Sequence, residues 1–114
     1  MGRNRHELLP GTLELLILQT LTRGEMHGYR IAQDIKLASE DVLRVEEGSL
    51  YPALQRLLVK KWVKAHWGKS ENNRRARYYQ LTALGREQLR RELSDFERVA
   101  GAVFRVLKPS GITQ

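Results

Sequence analysis

Hydrophobic residues recur at helical spacing in four stretches of the chain, separated by short polar segments. In the first stretch, leucine and isoleucine cover nearly every side between Leu13 and Leu21. This pattern predicts a first helix packed between other elements, with Thr12 as its N-cap and its end at Gly24.

The second and third stretches also have the spacing of helices that bury one face. The second predicts a helix capped by His27, with a core face of Tyr29, Ile31, Ala32 and Ile35 and with Arg30, Gln33, Asp34 and Lys36 outward. After a linker over residues 40–47, the third predicts a helix with Ser49 as its N-cap. Its core face is Leu50, Ala53, Leu54, Leu57 and Leu58.

Two short runs rich in aromatic and β-branched residues, 62–67 and 77–81, predict a β-hairpin. They are joined by GKSENNRRA, whose Asn72 and Asn73 suit a turn with left-handed backbone. Tyr78 and Tyr79 alternate across the second strand, so one faces the core and the other the surface. The sequence leaves open which is which.

The fourth stretch predicts a long helix over residues 83–107, capped by Thr82. Its apolar residues are spaced 4, 3, 4, 3, 4, as in a helix that packs against another helix: Leu89, Leu93, Phe96, Ala100, Val103 and Leu107. We expect this heptad stripe to form a homodimer interface. The alternative is that the stripe docks on the first helix of its own chain.

Three helices, a hairpin and a long helix, in that order, predict a mainly α winged helix-turn-helix with a small β-hairpin wing. We expect a DNA-binding domain over 8–82, a dimerisation helix over 83–107 and a flexible tail over 108–114. The third helix would read the major groove, and its exposed face would carry Ser49, Tyr51, Pro52, Gln55, Arg56 and Lys60. Pro52 is expected in the first turn, where its missing N–H costs little. For Tyr51 the alternative is simple packing against the wing.

Positive charge is concentrated in one part of the chain. The net charge is +7, and eleven Lys or Arg against two acidic residues give the segment from Arg56 to Arg91 a charge of +9, leaving −2 for the remainder. A local basic stretch indicates a polyanionic partner, usually nucleic acid and less often a membrane surface. A merely solvated basic face is the alternative. At the hairpin, Arg74, Arg75 and Arg77 favour contacts with phosphates or the minor groove.

Composition excludes several other functions. The chain of 114 residues contains no cysteine, and its three histidines are too scattered to form a ligand set, so neither a metal nor a cofactor is expected. We find no glycine-rich phosphate loop and no nucleophile paired with a base, which argues against an enzyme. The absence of a signal peptide and of a long apolar span predicts a soluble, cytoplasmic protein.

Four segments resemble the PadR family of bacterial winged-helix transcriptional regulators: LLPGTLELLILQTL, HGYRIAQDI, EEGSLYPALQRLLVKKWV and NNRRARYYQLTALGREQL. The resemblance covers roughly residues 8–107, and the short C-terminal part is similar to the subgroup with one helix there. It implies a homodimeric repressor of an inverted-repeat operator, often released by a small molecule. The matching DNA-contacting residues would be Ser49, Tyr51, Pro52 and Gln55 on the helix and the three wing arginines. The linker over 40–47 exceeds a simple helix-turn-helix turn but agrees with the family's longer connection.

A winged helix does not by itself define a function. The same fold could serve non-specific DNA, RNA or protein binding. The exposed face of the third helix is basic and polar, whereas a protein-docking face should be apolar, so the sequence favours DNA. A small-molecule effector would bind at the dimer interface against Phe96 or Phe104. For both phenylalanines, plain core packing is the favoured alternative.

Overall fold

The computed structural model describes residues 11–108. Four helices and a small three-stranded antiparallel sheet follow one another along the chain, which confirms the predicted winged-helix fold class. The elements are α1 (Thr12–Leu21), β1 (Met26–His27), α2 (Gly28–Ala38), α3 (Glu47–Val59), β2 (Val63–Lys69), β3 (Arg75–Leu81) and α4 (Ala83–Leu107). The start of the predicted DNA-binding domain at residue 8, and the predicted tail beyond Lys108, lie outside the described residues.

The sheet has the strand order β1-β3-β2. The hairpin of β2 and β3 pairs Val63 with Leu81 at its base and extends away from the helices as the wing. The two-residue strand β1 pairs with the other edge of β3 and ties the start of α2 to the wing. The sequence did not predict β1.

The core lies where α1 packs against α2, α3 and α4, in agreement with the predicted position of the first helix between other elements. Its residues come from every helix and from all three strands: Ile17, Leu18, Leu21, Met26, Ile31, Ile35, Leu50, Ala53, Leu54, Leu57, Val63, Tyr79, Leu81 and Leu89. Tyr79 is therefore the inward tyrosine of β3, and Tyr78 lies on the opposite face of the sheet, stacked on His66.

Two of the predicted helix caps are confirmed. The Nδ1 atom of His27 accepts a hydrogen bond from the Arg30 N–H at 3.2 Å, and the Thr82 hydroxyl accepts one from the Gly85 N–H at 2.9 Å. The prediction for α1 was wrong: its N-cap is Gly11, whose φ of 86° lies in the left-handed region that glycine adopts at little cost. The helix ends at Leu21, three residues before Gly24.

The predicted start of α3 was also wrong. The helix begins at Glu47 because the carbonyl of Glu46 already accepts the N–H groups of Ser49 and Leu50, at 3.0 and 2.9 Å. Ser49 is thus a residue of the first turn rather than the N-cap. Pro52 lies inside the helix, where it lacks the N–H that would bond to the Gly48 carbonyl.

Two residues of α2 lie on faces opposite to those predicted. Tyr29 is 67% exposed, because it lies two residues before Ile31, about 200° around the helix from the core face. Asp34 is only 8% exposed. Its carboxylate pairs with Arg30 at 3.1 Å and with Arg23 at 3.6 Å, so it joins α2 to the end of α1.

The start of α4 is joined closely to the base of the wing. The Thr82 N–H donates to the Trp62 carbonyl at 3.0 Å, and the Thr82 hydroxyl donates to the Lys61 carbonyl at 2.8 Å. A Cβ added at Gly85 would lie 2.0 Å from the Trp62 carbonyl oxygen, so only glycine fits there. Since Trp62 also donates to the Leu57 carbonyl, the end of α3 and the start of α4 form one unit.

Candidate nucleic-acid interface

The outer face of α3, opposite its buried leucines, consists of Gly48, Ser49, Pro52, Gln55 and Val59. All five are exposed, and a Cβ added at Gly48 would meet nothing within 4 Å. The first two turns therefore present short side chains and backbone. The amide of Gln55 follows them in the middle of the outer face. Val59, which is 72% exposed, was missed from the sequence, where it directly follows the core positions Leu57 and Leu58.

Tyr51 lies at the edge of this outer face, next to the start of α2. It is 44% exposed. Burial raises the pKa of the Tyr51 hydroxyl, and the nearby Glu47 and Tyr79 raise it further, so the hydroxyl remains protonated at neutral pH. Tyr51 can therefore both donate and accept a hydrogen bond.

The two cations predicted on α3 lie at the opposite edge of the outer face, where both pair with Glu14 of α1. Arg56 Nε is 2.6 Å from Glu14 Oε2, and Lys60 Nζ is 2.9 Å from Glu14 Oε1. The Glu14 side chain is only 12% exposed. Burial raises its pKa, but the hydrogen bonds and charges of the two cations outweigh burial and hold the pKa below its ordinary value. This long-range pair could not be predicted from the sequence.

The three predicted arginines lie at the tip of the wing and are exposed. Arg75 and Arg77 share a face of β3 and stack on the Trp67 side chain of β2, with guanidinium carbons 4.3 and 6.0 Å from the ring centroid. Stacking on an aromatic ring leaves the N–H groups of a guanidinium free to bind an anion. Arg74 precedes the strand in the turn, where Asn73 has a φ of 60°, which confirms the turn predicted at the Asn pair.

An open groove of about 670 Å³ separates the wing from the start of α2 and the edge of α3. We call it the wing groove. Its walls are aromatic and cationic, with Tyr29, Arg30 and Tyr51 on the helical side and Trp67, Arg75 and Arg77 on the wing. The outer face of α3 and the wing groove meet at Tyr51, so they form one continuous surface.

Two histidines join the wing to the body of the domain. His66 Nε2 lies 2.9 Å from Glu25 Oε1, and His27 Nε2 lies 3.5 Å from Glu71 Oε1. The Tyr78 ring lies between the two imidazoles, stacked on His66 and edge-on to His27. The hydrogen bond that the imidazole donates to the Glu25 carboxylate raises the pKa of His66 above its ordinary value. Within residues 11–108, no three metal-ligating side chains cluster.

Comparison with known proteins identifies the family. The model of the transcriptional regulator PadR-like family matches residues 17–91, which include α2, α3 and the whole wing. The chain belongs to the PadR-like family. PadR-like proteins are DNA-binding transcriptional regulators and not enzymes. This confirms the function class predicted from the sequence.

Solved structures of similar proteins agree with this assignment. A transcriptional regulator from Clostridium thermocellum shares the fold with a TM-score of 0.76 at 24% identity, over 83% of this chain and 92% of that one. A PadR-like transcriptional regulator from Bacillus cereus has a TM-score of 0.73 at 28% identity, over 88% of this chain and 95% of that one.

A longer protein is also similar in sequence. An uncharacterized 37.1 kDa protein of a Streptomyces fradiae transposon is 37% identical over 100 residues, which are 88% of this chain. The chain spans only 27% of that protein.

None of the helices within residues 11–108 is long and apolar enough to cross a membrane.

The heptad stripe of this PadR-like chain is divided between core and surface. Leu89 is buried in the core of its own chain, so the stripe available to a partner begins at Leu93. From there to Leu107 the larger apolar side chains of α4 are exposed. Beside them an apolar groove of about 370 Å³ runs between α4 and the start of α1, lined among others by Leu15, Phe96 and Phe104.

Proposed function

We propose that this PadR-like protein is a homodimeric, sequence-specific repressor of an inverted-repeat operator. The observation that carries the proposal is the continuous surface in which the outer face of α3 meets the arginine-lined wing groove at Tyr51. A helix face that fits the major groove, next to a cationic cleft, matches the two parts of a duplex: base edges and phosphates. In this proposal residues 8–82 bind DNA and residues 83–107 dimerise.

The outer face of α3 supplies sequence choice. Gln55 lies at its centre with both an amide donor and an acceptor, the combination that pairs with adenine in the major groove. Ser49 and Tyr51 add hydroxyls at either side, while Pro52 and Val59 offer apolar contact to thymine methyl groups. Direct approach is possible because Gly48 adds no side chain.

The wing supplies affinity that does not depend on sequence. Arg74, Arg75 and Arg77 are held close together by the turn and by Trp67, and we assign them to phosphates or to the adjacent minor groove. Arg56 remains a candidate phosphate ligand, because Glu14 engages only its Nε and leaves both terminal nitrogens of the fork. The Lys60 ammonium likewise has further N–H groups beyond the one directed to Glu14.

The dimer is proposed from the exposed stripe of α4. An antiparallel or crossed pair of α4 helices would cover Leu93, Phe96, Ala100, Val103 and Leu107, which a single chain leaves largely in water. Two-fold symmetry would then place two α3 helices about 34 Å apart, one turn of DNA. Analytical ultracentrifugation at micromolar concentration should show a dimer, and a monomer would refute this part of the proposal.

A small molecule that releases the repressor would bind at the same interface. The groove between α1 and α4 contains Phe96 and Phe104, and a ligand there would change how the two α4 helices cross. Calorimetry with apolar and aromatic compounds tests this role. If none binds and operator affinity does not change, the groove is only a place for the partner helix.

Selection of bound sequences from random duplex DNA at physiological salt tests the main proposal. A two-fold symmetric motif is the expected result and would provide the operator for further work. Weak, salt-sensitive binding without a motif would refute a sequence-specific repressor. It would favour the alternative of a winged-helix module for non-specific DNA, RNA or protein binding.

A further inference from the structure

A glycine of α2 lies against a side chain of α3. Gly28 is the first residue of α2 and is buried. A Cβ added there would lie 2.6 Å from the Tyr51 hydroxyl oxygen and 2.9 Å from two carbons of its ring. The outer half of the Tyr51 ring therefore lies directly on the backbone of Gly28, in space that any larger residue would fill.

Backbone conformation does not explain the glycine. The φ of Gly28 lies outside the left-handed region, so an alanine could adopt the same backbone and would favour the helix. Gly48, by contrast, has open space around it. What Gly28 provides is room for one side chain, Tyr51.

The neighbouring contacts prevent α2 from moving away to make that room. His27, directly before Gly28, pairs with Tyr78 in the sheet, and its imidazole caps α2. Three residues after Gly28, Ile31 is fully buried in the core. A side chain at position 28 would therefore displace the Tyr51 ring rather than the helix.

The Tyr51 ring lines the wing groove, and within residues 11–108 no side chain or backbone group forms a hydrogen bond with its hydroxyl. Such a hydroxyl is held by packing alone and is available to an outside partner. We propose that Gly28 is a positioning residue for DNA recognition: it lets Tyr51 lie against α2 with its hydroxyl directed at DNA in the wing groove. This inference rests on the proposed function.

The experiment is a double-mutant cycle of Gly28→Ala and Tyr51→Ala, with operator binding followed by fluorescence anisotropy. Gly28→Ala alone should weaken operator binding about tenfold, the loss expected for one hydrogen bond to a charged or polar DNA group. In the Tyr51→Ala background, where the added methyl group has room, Gly28→Ala should cause no further loss. Leu37→Ala, at an exposed residue of the same helix that does not line the wing groove, is the control and should bind normally.

Three results would overturn the inference. Gly28→Ala could bind the operator as the wild type does, or it could lose the same factor with and without Tyr51, which would mean that it acts through the fold. If Gly28→Ala does not fold in a thermal melt, Tyr51→Phe takes its place, since it keeps the packing and removes only the hydroxyl. Unchanged operator affinity of Tyr51→Phe would then refute the role.

The outcome separates this inference from the proposed function. Wild-type protein that selects no DNA sequence would overturn the proposed repressor, and with it the role of Gly28. A wild-type protein that binds its operator tightly, together with a Gly28→Ala variant that binds equally well, would overturn the role of Gly28 alone.

Discussion

Replacing Glu14 by glutamine should destabilise the domain without weakening its contact with DNA. Glutamine keeps the size of the side chain but removes the charge that Arg56 and Lys60 share, at 2.6 and 2.9 Å. Both cations would remain, partly desolvated and next to each other. The variant therefore tests whether the link from α1 to the end of α3 is electrostatic.

The magnitude follows from the exposure of the three groups. Arg56 and Lys60 are about half exposed, and exposed pairs contribute only about 0.2–1 kcal/mol each. Glu14 is nearly buried, which shifts each bond towards the charge-assisted range of about 1.5–3 kcal/mol. We expect Glu14→Gln to lower the free energy of unfolding by about 1–2 kcal/mol, counting both ion pairs together. In a domain of this size that loss lowers Tm by roughly 4–12 °C.

The pH dependence identifies the charge as the cause. Because the pKa of Glu14 in the folded protein lies below the ordinary 4.5, its contribution is complete above pH 4.5 and is lost as the pH falls through the lower, folded pKa. Thermal melts of the wild type and Glu14→Gln should differ at pH 7 and converge under strongly acidic conditions. Glu97→Gln, at an exposed glutamate of α4, is the control and should melt like the wild type at pH 7.

Two results would refute this account of Glu14. Equal Tm values at pH 7 would show that the two ion pairs contribute nothing, and a difference that stays constant in acid would show that glutamine acts through packing. Binding to random DNA should be unchanged or tighter in Glu14→Gln, since two cations are released at the edge of α3. Weaker binding would mean that Glu14 orients those cations for DNA.

Arg75→Ala should weaken binding to operator and random DNA alike and reduce the salt slope by about one unit; an effect on the operator alone would contradict a phosphate contact. Gln55→Ala should instead reduce the preference for operator over random DNA by about 1–3 kcal/mol, and equal losses on both would refute base reading. Phe96→Glu should give a monomer in sedimentation, and a persistent dimer would place the interface elsewhere. Glu25→Gln should lower Tm at pH 6 but have little effect at pH 8.5. Because the pKa of His66 in the folded protein is raised above 6.5, the His66–Glu25 pair stabilises the fold below pH 6.5 and this stabilisation is lost as the pH rises through the folded pKa. A Tm difference that does not depend on pH would refute the His66 pair.

The fold could be predicted wherever burial imposed a long periodic pattern. The helical spacing of the four apolar stretches located every helix, and the aromatic and β-branched runs located the wing. Strand β1 could not be predicted, because two residues carry no period and its pairing partner is Tyr78–Tyr79, far along the chain. The start of α3 was wrong because a serine cap and an earlier backbone cap are both compatible with the sequence, and tertiary contacts select between them.

The candidate site was predictable only in part. The outer face of α3 follows by elimination once its leucines are buried, and the wing arginines follow from charge. The partner of Arg56 is 42 residues away, and no local pattern encodes such a pair. Tyr29 was misassigned because an aromatic residue was taken as core, although its angle around α2 placed it outside. The role proposed for Gly28 could not be predicted from the sequence, because it depends on where the Tyr51 ring lies in the folded protein.

The joint at Gly85 makes α4 a lever. Twenty-five residues at 1.5 Å each give an arm of roughly 37 Å, anchored to the end of α3 through Thr82 and Trp62. In the proposed dimer, a change of about 10° in the crossing angle turns each arm by about 5°, so the two DNA-binding surfaces move by about 6 Å relative to each other while α3 and the wing keep their internal geometry. A displacement of that size prevents the two α3 helices from aligning with both half-sites at the same time. Release from the operator would thus need no rearrangement within α3 or the wing. A small rotation at the C-terminal end of α4 would be enough.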